Sequence, residues 1–473
     1  MNPNYSRRWR MMLMIFILNT LSQTGQFLIS IVVANSTMLQ DTNCSLAEYS
    51  LLSGTAYYLA CAVVLMPCGR WADKLQNMKW PLVIGSVLFN ATTIATGFAS
   101  SFAMLLLPRF GTALFSVALE AMFTRLVSLF FPPNSRGAAY GVYMLSVYLG
   151  AGLSFLTPPF IEALGWRATF ILLGTLGILV ALVVGLLFWE EYKFTEEDFA
   201  DAEKLKHQKL LSEFRTLLKT NRTLSLTTVA LAMMIVAYNT RQVFDPTYFI
   251  HQFPANKTEY NYLAFGYVVL SPLGPLLGGL FTDLKENSNP RWRPIVCSVT
   301  SLAAVPLLFT IYMTESFPLM TSLIYMTSMY GDTFMSVGPA MIQNICPTHM
   351  RAFVAGWVLC IANIISAGVA ALIGIIGSSH EALRTCLMIV VCGCLTASAC
   401  IFATTVYTYP KDLHLNSCAN TEISNQLLSE DQCKDAILKN TGKSTNSGYT
   451  ELTHELQKGG AFFNEFTLDN QES

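Results

Sequence analysis

Twelve apolar stretches run through this chain between residues 11 and 409, each long enough to cross a bilayer. A helix needs about 20 apolar residues to span the hydrocarbon core. The first six lie at about 11–34, 48–68, 80–98, 102–130, 137–160 and 167–189. The second six lie at about 223–250, 259–281, 293–313, 318–345, 351–377 and 383–409. Many contain Gly and Pro, which membrane helices tolerate because neighbouring groups satisfy the freed backbone. The pattern predicts an all-α membrane protein with twelve transmembrane helices.

Composition agrees. Charged residues make up 12% of the chain and hydrophobic residues 53%, with mean hydropathy +0.45. A soluble domain carries about 25% charged residues, so too little polar surface is left to cover a water-soluble globule. The net charge of −1 gives nucleic acid no electrostatic attraction. The 12 Cys form no disulfide framework. Cys61, Cys392, Cys394 and Cys400 lie in apolar runs and read as small hydrophobes. No metal-type spacing stands out, and no cofactor is expected. The apolar run after Arg10 is too long for a cleaved signal peptide.

Lys and Arg set the expected orientation. Arg7, Arg8 and Arg10 precede span one, and Arg70, Lys74 and Lys79 follow span two. Arg136 follows span four, and Lys285, Arg291 and Arg293 follow span eight, while the alternate loops are poor in basic residues. Both termini and the 190–222 linker are therefore expected in the cytosol. The sequons at Asn35, Asn43 and Asn256 fall in loops assigned to the outside and are candidate glycosylation sites. Asn221-Arg222-Thr223 falls on the cytosolic side. The segments expected are a cytosolic N-terminus (1–10), a first bundle (11–189), a partly helical linker (190–222) and a second bundle (223–409). A polar, disordered cytosolic tail (410–473) completes the chain.

A loop pattern repeats. Gly69-Arg70-Trp71-Ala72-Asp73 follows span two, and Gly279-Leu280-Phe281-Thr282-Asp283 follows span eight. The two Asp residues are 210 positions apart (283 − 73). Arg136 with Gly141 opens span five, and Arg351 with Gly356 opens span eleven, 215 positions on (351 − 136). Two features at nearly one offset imply two homologous six-helix halves. Gly69, Asp73, Arg125, Arg136, Asp283 and Arg351 read as a cytosolic gate, in which glycine allows close helix approach. An Asp there can accept from a helix N-terminus or an Arg; Arg125 is the expected partner of Asp73. The alternative is a generic charged helix end.

From Trp9 to Tyr409 the chain resembles the major facilitator superfamily. The resemblance rests on Gly69-x-x-x-Asp73-Lys74, Pro108-Arg109, Phe131 through Gly137, and Gly165-Trp166-Arg167. It implies two six-helix bundles rocking about a central site lined by spans 1, 4, 7 and 10. Within the superfamily the chain resembles the spinster-like lipid transporters. The matches are Asn19, the Arg109–Phe131 spacing, Asp245-Pro246-Thr247-Tyr248-Phe249, Phe265-Gly266 with Gly274 and Gly278, and Pro347 through Arg351. Where those relatives carry Asp-Arg in span one, Ser22 and Gln23 stand here, and Ser116 replaces their fourth-span Glu. The acids implicated there in proton coupling are missing. Coupling through other groups, uncoupled transport and a different subfamily all remain open.

Ionisable residues at membrane depth mark function or helix packing. Arg109 and Glu120 share a face of span four about 16 Å apart. Arg109 suits an anionic headgroup or carboxylate, and Glu120 suits proton coupling. Arg241 and Asp245 form an i, i+4 pair within a polar cluster with Tyr238, Asn239 and Gln242. Asp332 and Asp245 are further coupling candidates. Asn19 and Gln23 are candidate substrate donors, or else links between helices. In the tail, Gly448-Tyr449-Thr450-Glu451-Leu452 resembles the signal read by endolysosomal sorting adaptors, with Tyr449 and Leu452 as anchors. The expected location is the lysosomal or the plasma membrane.

The reading is a monomeric transporter of a small organic solute, an organic anion or a lysolipid. The alternative is a transport-inactive receptor or scaffold binding partners through the linker and tail. No catalytic set gathers at membrane depth, so an enzyme is not expected.

Overall fold

The computed structural model describes residues 3–75, 79–130, 133–187, 210–286, 289–346, 351–377 and 379–441. Every regular element among them is a helix. Met1–Leu413 forms one compact unit, and His414–Ser473 forms a second.

The first six crossings begin with α1 (Pro3–Asn35), followed by the short α2 (Met38–Asp41). The second crossing is composite: α3 (Leu46–Ser50), a π-helical turn (Leu51–Ala56) and α4 (Tyr57–Lys74). A capping box between Ser45 and Glu48 starts α3. Then come α5 (Lys79–Gly97), α6 (Phe102–Phe130), α7 (Pro133–Ser154) and α8 (Pro158–Leu187). Gly165 bends α8 at φ 81°, a conformation that a Cβ disfavours. The bend sets Trp166 to donate to Asp41 at 2.8 Å and Arg167 to stack on the Trp166 ring at 4.4 Å.

The linker contributes α9 (Leu210–Thr220). Its Phe214 is buried against Phe353 and Trp357, with ring centroids 5.3 and 5.4 Å away. The last six crossings open with α10 (Arg222–Gln252), capped by Asn221 accepting from the Leu224 amide. Asp412 accepts from the Thr223 amide at 2.9 Å and so meets the positive end of α10.

The eighth crossing is broken into α11 (Lys257–Leu270) and α12 (Leu273–Glu286). Pro272 lacks the N–H that would continue the helix. After α13 (Trp292–Met313), the tenth crossing is also broken, into α14 (Phe317–Ser328), a 3₁₀ turn (Gly331–Thr333) and α15 (Phe334–Ile345). The breaks touch: a Cβ at Gly274 would lie 2.9 Å from the Met329 carbonyl oxygen, and Ser336 donates to the Pro275 carbonyl at 2.7 Å. Hydropathy alone gives each crossing as a single apolar run, 259–281 and 318–345.

The chain closes with α16 (Arg351–Ile376) and α17 (His380–Thr441). α17 continues past the expected boundary at residue 409, to Thr441. Tyr449 and Leu452 lie outside the described residues.

Among the described residues, eight helical segments are long and apolar enough to cross a membrane: they lie in α1, α5, α6, α8, α10, α13, α16 and α17. The other four expected crossings fall on α3–α4, α7, α11–α12 and α14–α15. The duplication is visible in packing. Asn19 of α1 donates to Ser146 of α7 at 2.7 Å, and Asn239 of α10 donates to Ser366 of α16 at 3.0 Å. Both pairs span 127 residues, and one shift of 220 (239 − 19, 366 − 146) relates them.

Candidate functional site

Alternate faces of α6 meet lipid and protein. Leu107, Phe110 and Leu114 are exposed on one side, whereas Arg109, Ser116 and Glu120 point to the opposite side. Arg109 is 8% exposed. Its guanidinium lies over the Tyr57 ring at 4.3 Å, and it donates to the Gln26 carbonyl at 3.5 Å. Its Nε is buried with no hydrogen-bond partner. Among the described residues no carboxylate pairs with it. A desolvated cation–π contact contributes about 2 kcal/mol, whereas burying an ion costs several kcal/mol. The site thus holds a positive charge that the protein only partly compensates.

Tyrosines of the second crossing fix this arginine and join the halves. Tyr57 shares a hydrogen bond with Ser116 at 3.2 Å and packs edge-on against Tyr58 at 5.5 Å. Tyr58 donates to the Asn239 carbonyl at 3.4 Å, and Tyr49 to the Val243 carbonyl at 3.1 Å, both on α10. A small cavity beside Arg109 is lined by Gly25, Ile29, Thr93, Thr96, Thr112 and Phe170.

Glu120 is exposed yet lies on the inward face of α6, near Cys61 of α4. It therefore faces the interior of the bundle, one helical face with Arg109. Asn19 donates one amide hydrogen to Ser146 of α7. Gln23 is half-buried against α7, where Gly150 leaves room for its Cβ. Asn239 likewise donates one amide hydrogen to Ser366. Both asparagines link helices in this structure, the alternative role that the sequence offered for Asn19.

In the second half, Arg241 pairs with Asp245 at 3.1 Å, and Tyr312 donates to the other Asp245 oxygen at 2.7 Å. Gln242 donates to the Tyr238 hydroxyl at 3.3 Å. Asp245 is buried and fully engaged, which suits a structural pair. Asp332 sits in the 3₁₀ turn of the broken tenth crossing and is half-exposed. Tyr148 of α7 donates to it at 3.3 Å, across the halves.

At the end of the bundle where α1 begins and α9 lies, Arg125 donates to the Ala72 carbonyl, next to Asp73. The side chains of Asp73, Arg136 and Arg351 lie outside the described residues. Asp283 pairs with Arg293 at 2.8 Å. A side chain at Gly69 would meet nothing within 4 Å, so the expected close approach there is not made in this conformation.

The far end is closed. The Asn35 and Asn261 amides bond to each other, with Asn261 donating at 2.9 Å, and Lys257 donates to the Asn35 carbonyl at 3.2 Å. Thr55 donates to the Ala367 carbonyl at 2.8 Å. Gly54 lies against Ala370, and Gly374 against Ser50. Asn35 is 6% exposed, and its amide also donates to the Ile31 carbonyl. A glycan on Asn35 is incompatible with this packing, because a sequon reports three residues and not their burial. Asn43 is exposed at φ 50°, and Asn256 is half-exposed and donates to Glu259 at 2.7 Å.

Sequence reasoning missed Tyr49, Tyr57, Tyr58, Tyr148 and Asn261. A pair of adjacent tyrosines inside an apolar run was the available signal.

The sequence profile of the Major Facilitator Superfamily matches residues 15–359. The chain is 22% identical over 397 residues to the "Probable L-galactonate transporter" of Escherichia coli (strain K12), covering 79% of this chain and 83% of that one. It is 19% identical over 305 residues to "Protein spinster homolog 1" of Homo sapiens, covering 61% and 57%. Its fold matches the crystal structure of a bacterial homologue of the human lysosomal transporter Spinster, inward-facing and unoccupied. That match has TM-score 0.71 at 19% identity and covers 87% of this chain and 99% of the other.

Proposed function

Since the chain belongs to the Major Facilitator Superfamily and is a membrane transporter rather than an enzyme, we propose that it carries an organic anion by alternating access. The observation that carries this reading is Arg109: buried, unpaired by any described carboxylate, and stacked on Tyr57 where α4 meets α10. A cargo carboxylate, sulfonate or phosphate would supply the missing charge, and its binding would replace several kcal/mol of uncompensated desolvation. A guanidinium offers such groups a planar fork of donors. The galactonate relative, by its name, handles a sugar acid, which agrees with an anionic cargo.

Closure at the far end, with Glu120 exposed on the interior face, supports a resting state open toward the chain termini. The basic residues flanking the spans support placing that side in the cytosol. The likeness to a bacterial homologue of the human lysosomal transporter Spinster supports a lysosomal location, and the sequence resemblance to spinster-like lipid transporters supports testing a lysolipid as cargo.

The test is flux into proteoliposomes. Labelled galactonate, a small sulfonate, a lysophospholipid and a neutral sugar would be compared for the parent and for Arg109→Gln. Saturable uptake of at least one anion, absent for the neutral sugar and abolished in the variant at equal reconstitution, is expected. Uptake of the neutral sugar alone, or anion uptake unaffected by Arg109→Gln, overturns the reading.

A further inference from the structure

Two acids of the second half differ in how they are held. Asp245 has both oxygens occupied, one by Arg241 and one by Tyr312, inside a buried pair. Asp332 accepts a single hydrogen bond, from Tyr148, and its other oxygen accepts none among the described residues. It also sits where the tenth crossing is broken, and the residue is only partly buried there. Its one partner belongs to the opposite half of the molecule.

We propose that the Tyr148–Asp332 hydrogen bond is a proton-sensitive latch that holds the far end closed. This rests on the alternating-access part of the reading above but not on the identity of the cargo. An ionised carboxylate accepts a charge-assisted bond from the phenol, about twice as strong as a neutral one. A proton from the cavity water that binds an Asp332 oxygen removes the charge and weakens the bond. The proton comes from hydronium in that water: one O–H bond breaks there, leaving water, and one forms on the carboxyl. Tyr148 lies toward the far end of α7, and separating the halves there draws it away from Asp332. Loss of a proton thus favours the closed far end, and gain of a proton favours opening it.

The groups around Asp332 leave it as the element free to respond. From α10, Arg241 acts on its charge but is already held by Asp245. From α7 comes Tyr148, faced in turn by Tyr238. α12 brings Asp283 and Lys285 at the end near the termini, with Asp283 held by Arg293. α13 brings Arg293, Cys297 and Tyr312, the last committed to Asp245. α14 brings Tyr325, which donates to the Leu263 carbonyl, and Tyr330 at the break donates to the Ala303 carbonyl. α15 carries no titratable residue.

Amide hydrogen exchange on the full chain in lipid nanodiscs tests this without any cargo. The readout is exchange in residues 46–56 and 367–376, which form the closed far end, corrected for the intrinsic effect of pH. Acidification is expected to raise exchange there about fivefold in the parent, the difference between a charged and a neutral hydrogen bond. Asp332→Asn and Tyr148→Phe should both exchange at the raised rate at either pH. If Asp332→Asn does not fold, Tyr148→Phe carries the test alone. A parent with no pH response, or either latch variant responding as the parent does, overturns the proposal. Anion flux that fails while the exchange response stands would overturn the cargo assignment alone.

Discussion

Asn239 donates its side-chain amide to the hydroxyl of Ser366 at 3.0 Å, tying α10 to α16 as Asn19 and Ser146 tie α1 to α7. Buried amide–hydroxyl bonds between membrane helices contribute about 1 kcal/mol. Asn239→Ala and Asn19→Ala are each expected to destabilise by about that amount. In a double-mutant cycle with Ser366→Ala or Ser146→Ala, measured by thermal unfolding in detergent, the paired losses should not add. Full additivity would mean that the bonds contribute nothing of their own.

The far end closes on reciprocal glycines. Gly54 of the first half meets Ala370, and Gly374 of the second half meets Ser50 and Ala47. There is no space for a side chain at either place, so Gly54→Leu and Gly374→Val should hold the halves apart there. Exchange in residues 46–56 should rise in both variants without loss of helix content by circular dichroism. Unchanged protection would show that the two crossings can slide to make room.

Asn35 offers a cleaner separation of two roles. Removing the sequon with Asn35→Gln should leave the shift on enzymatic deglycosylation unchanged, since the native amide is buried in the closed end. Removing those at Asn43 and Asn256 together should abolish any shift that the parent shows. The same Asn35→Gln change lengthens an amide that must meet Asn261, so it should loosen the closed end even though no glycan is lost.

Asp245 stands between Arg241 and Tyr312 with little exposure. Removing one partner of a buried ion pair typically costs about 3 kcal/mol or more. Asp245→Asn should therefore lower thermal stability by that order, and Arg241→Gln added to it should restore much of the loss. Failure of the second change to rescue would mean that Arg241 has another anion to answer to.

Much of this architecture was legible in the chain itself, because bilayer thickness converts directly into segment length. The duplication was legible too, from Asp73 and Asp283, although the better internal marker is the pair Asn19 and Asn239. What hydropathy misses is discontinuity: Pro272 and Gly331 break helices without lowering apolar content. Local patterns also failed where the outcome depends on distant partners. Asn35 reads as a sugar acceptor until Asn261 is seen opposite it, and Arg109 gives no sign that Tyr57 lies beneath it. Arg241 and Asp245 were read correctly as a pair because i, i+4 spacing is itself geometry.

Phe214 fastens α9 to the first turns of α16 through Phe353 and Trp357. The described part of the connector is thereby attached to the second bundle, through Phe214 and through Asn221 at the start of α10. Only the 22 residues from 188 to 209 then separate α8 from that anchored portion. The swing of the first bundle against the second is governed by the glycines and tyrosines where the two touch.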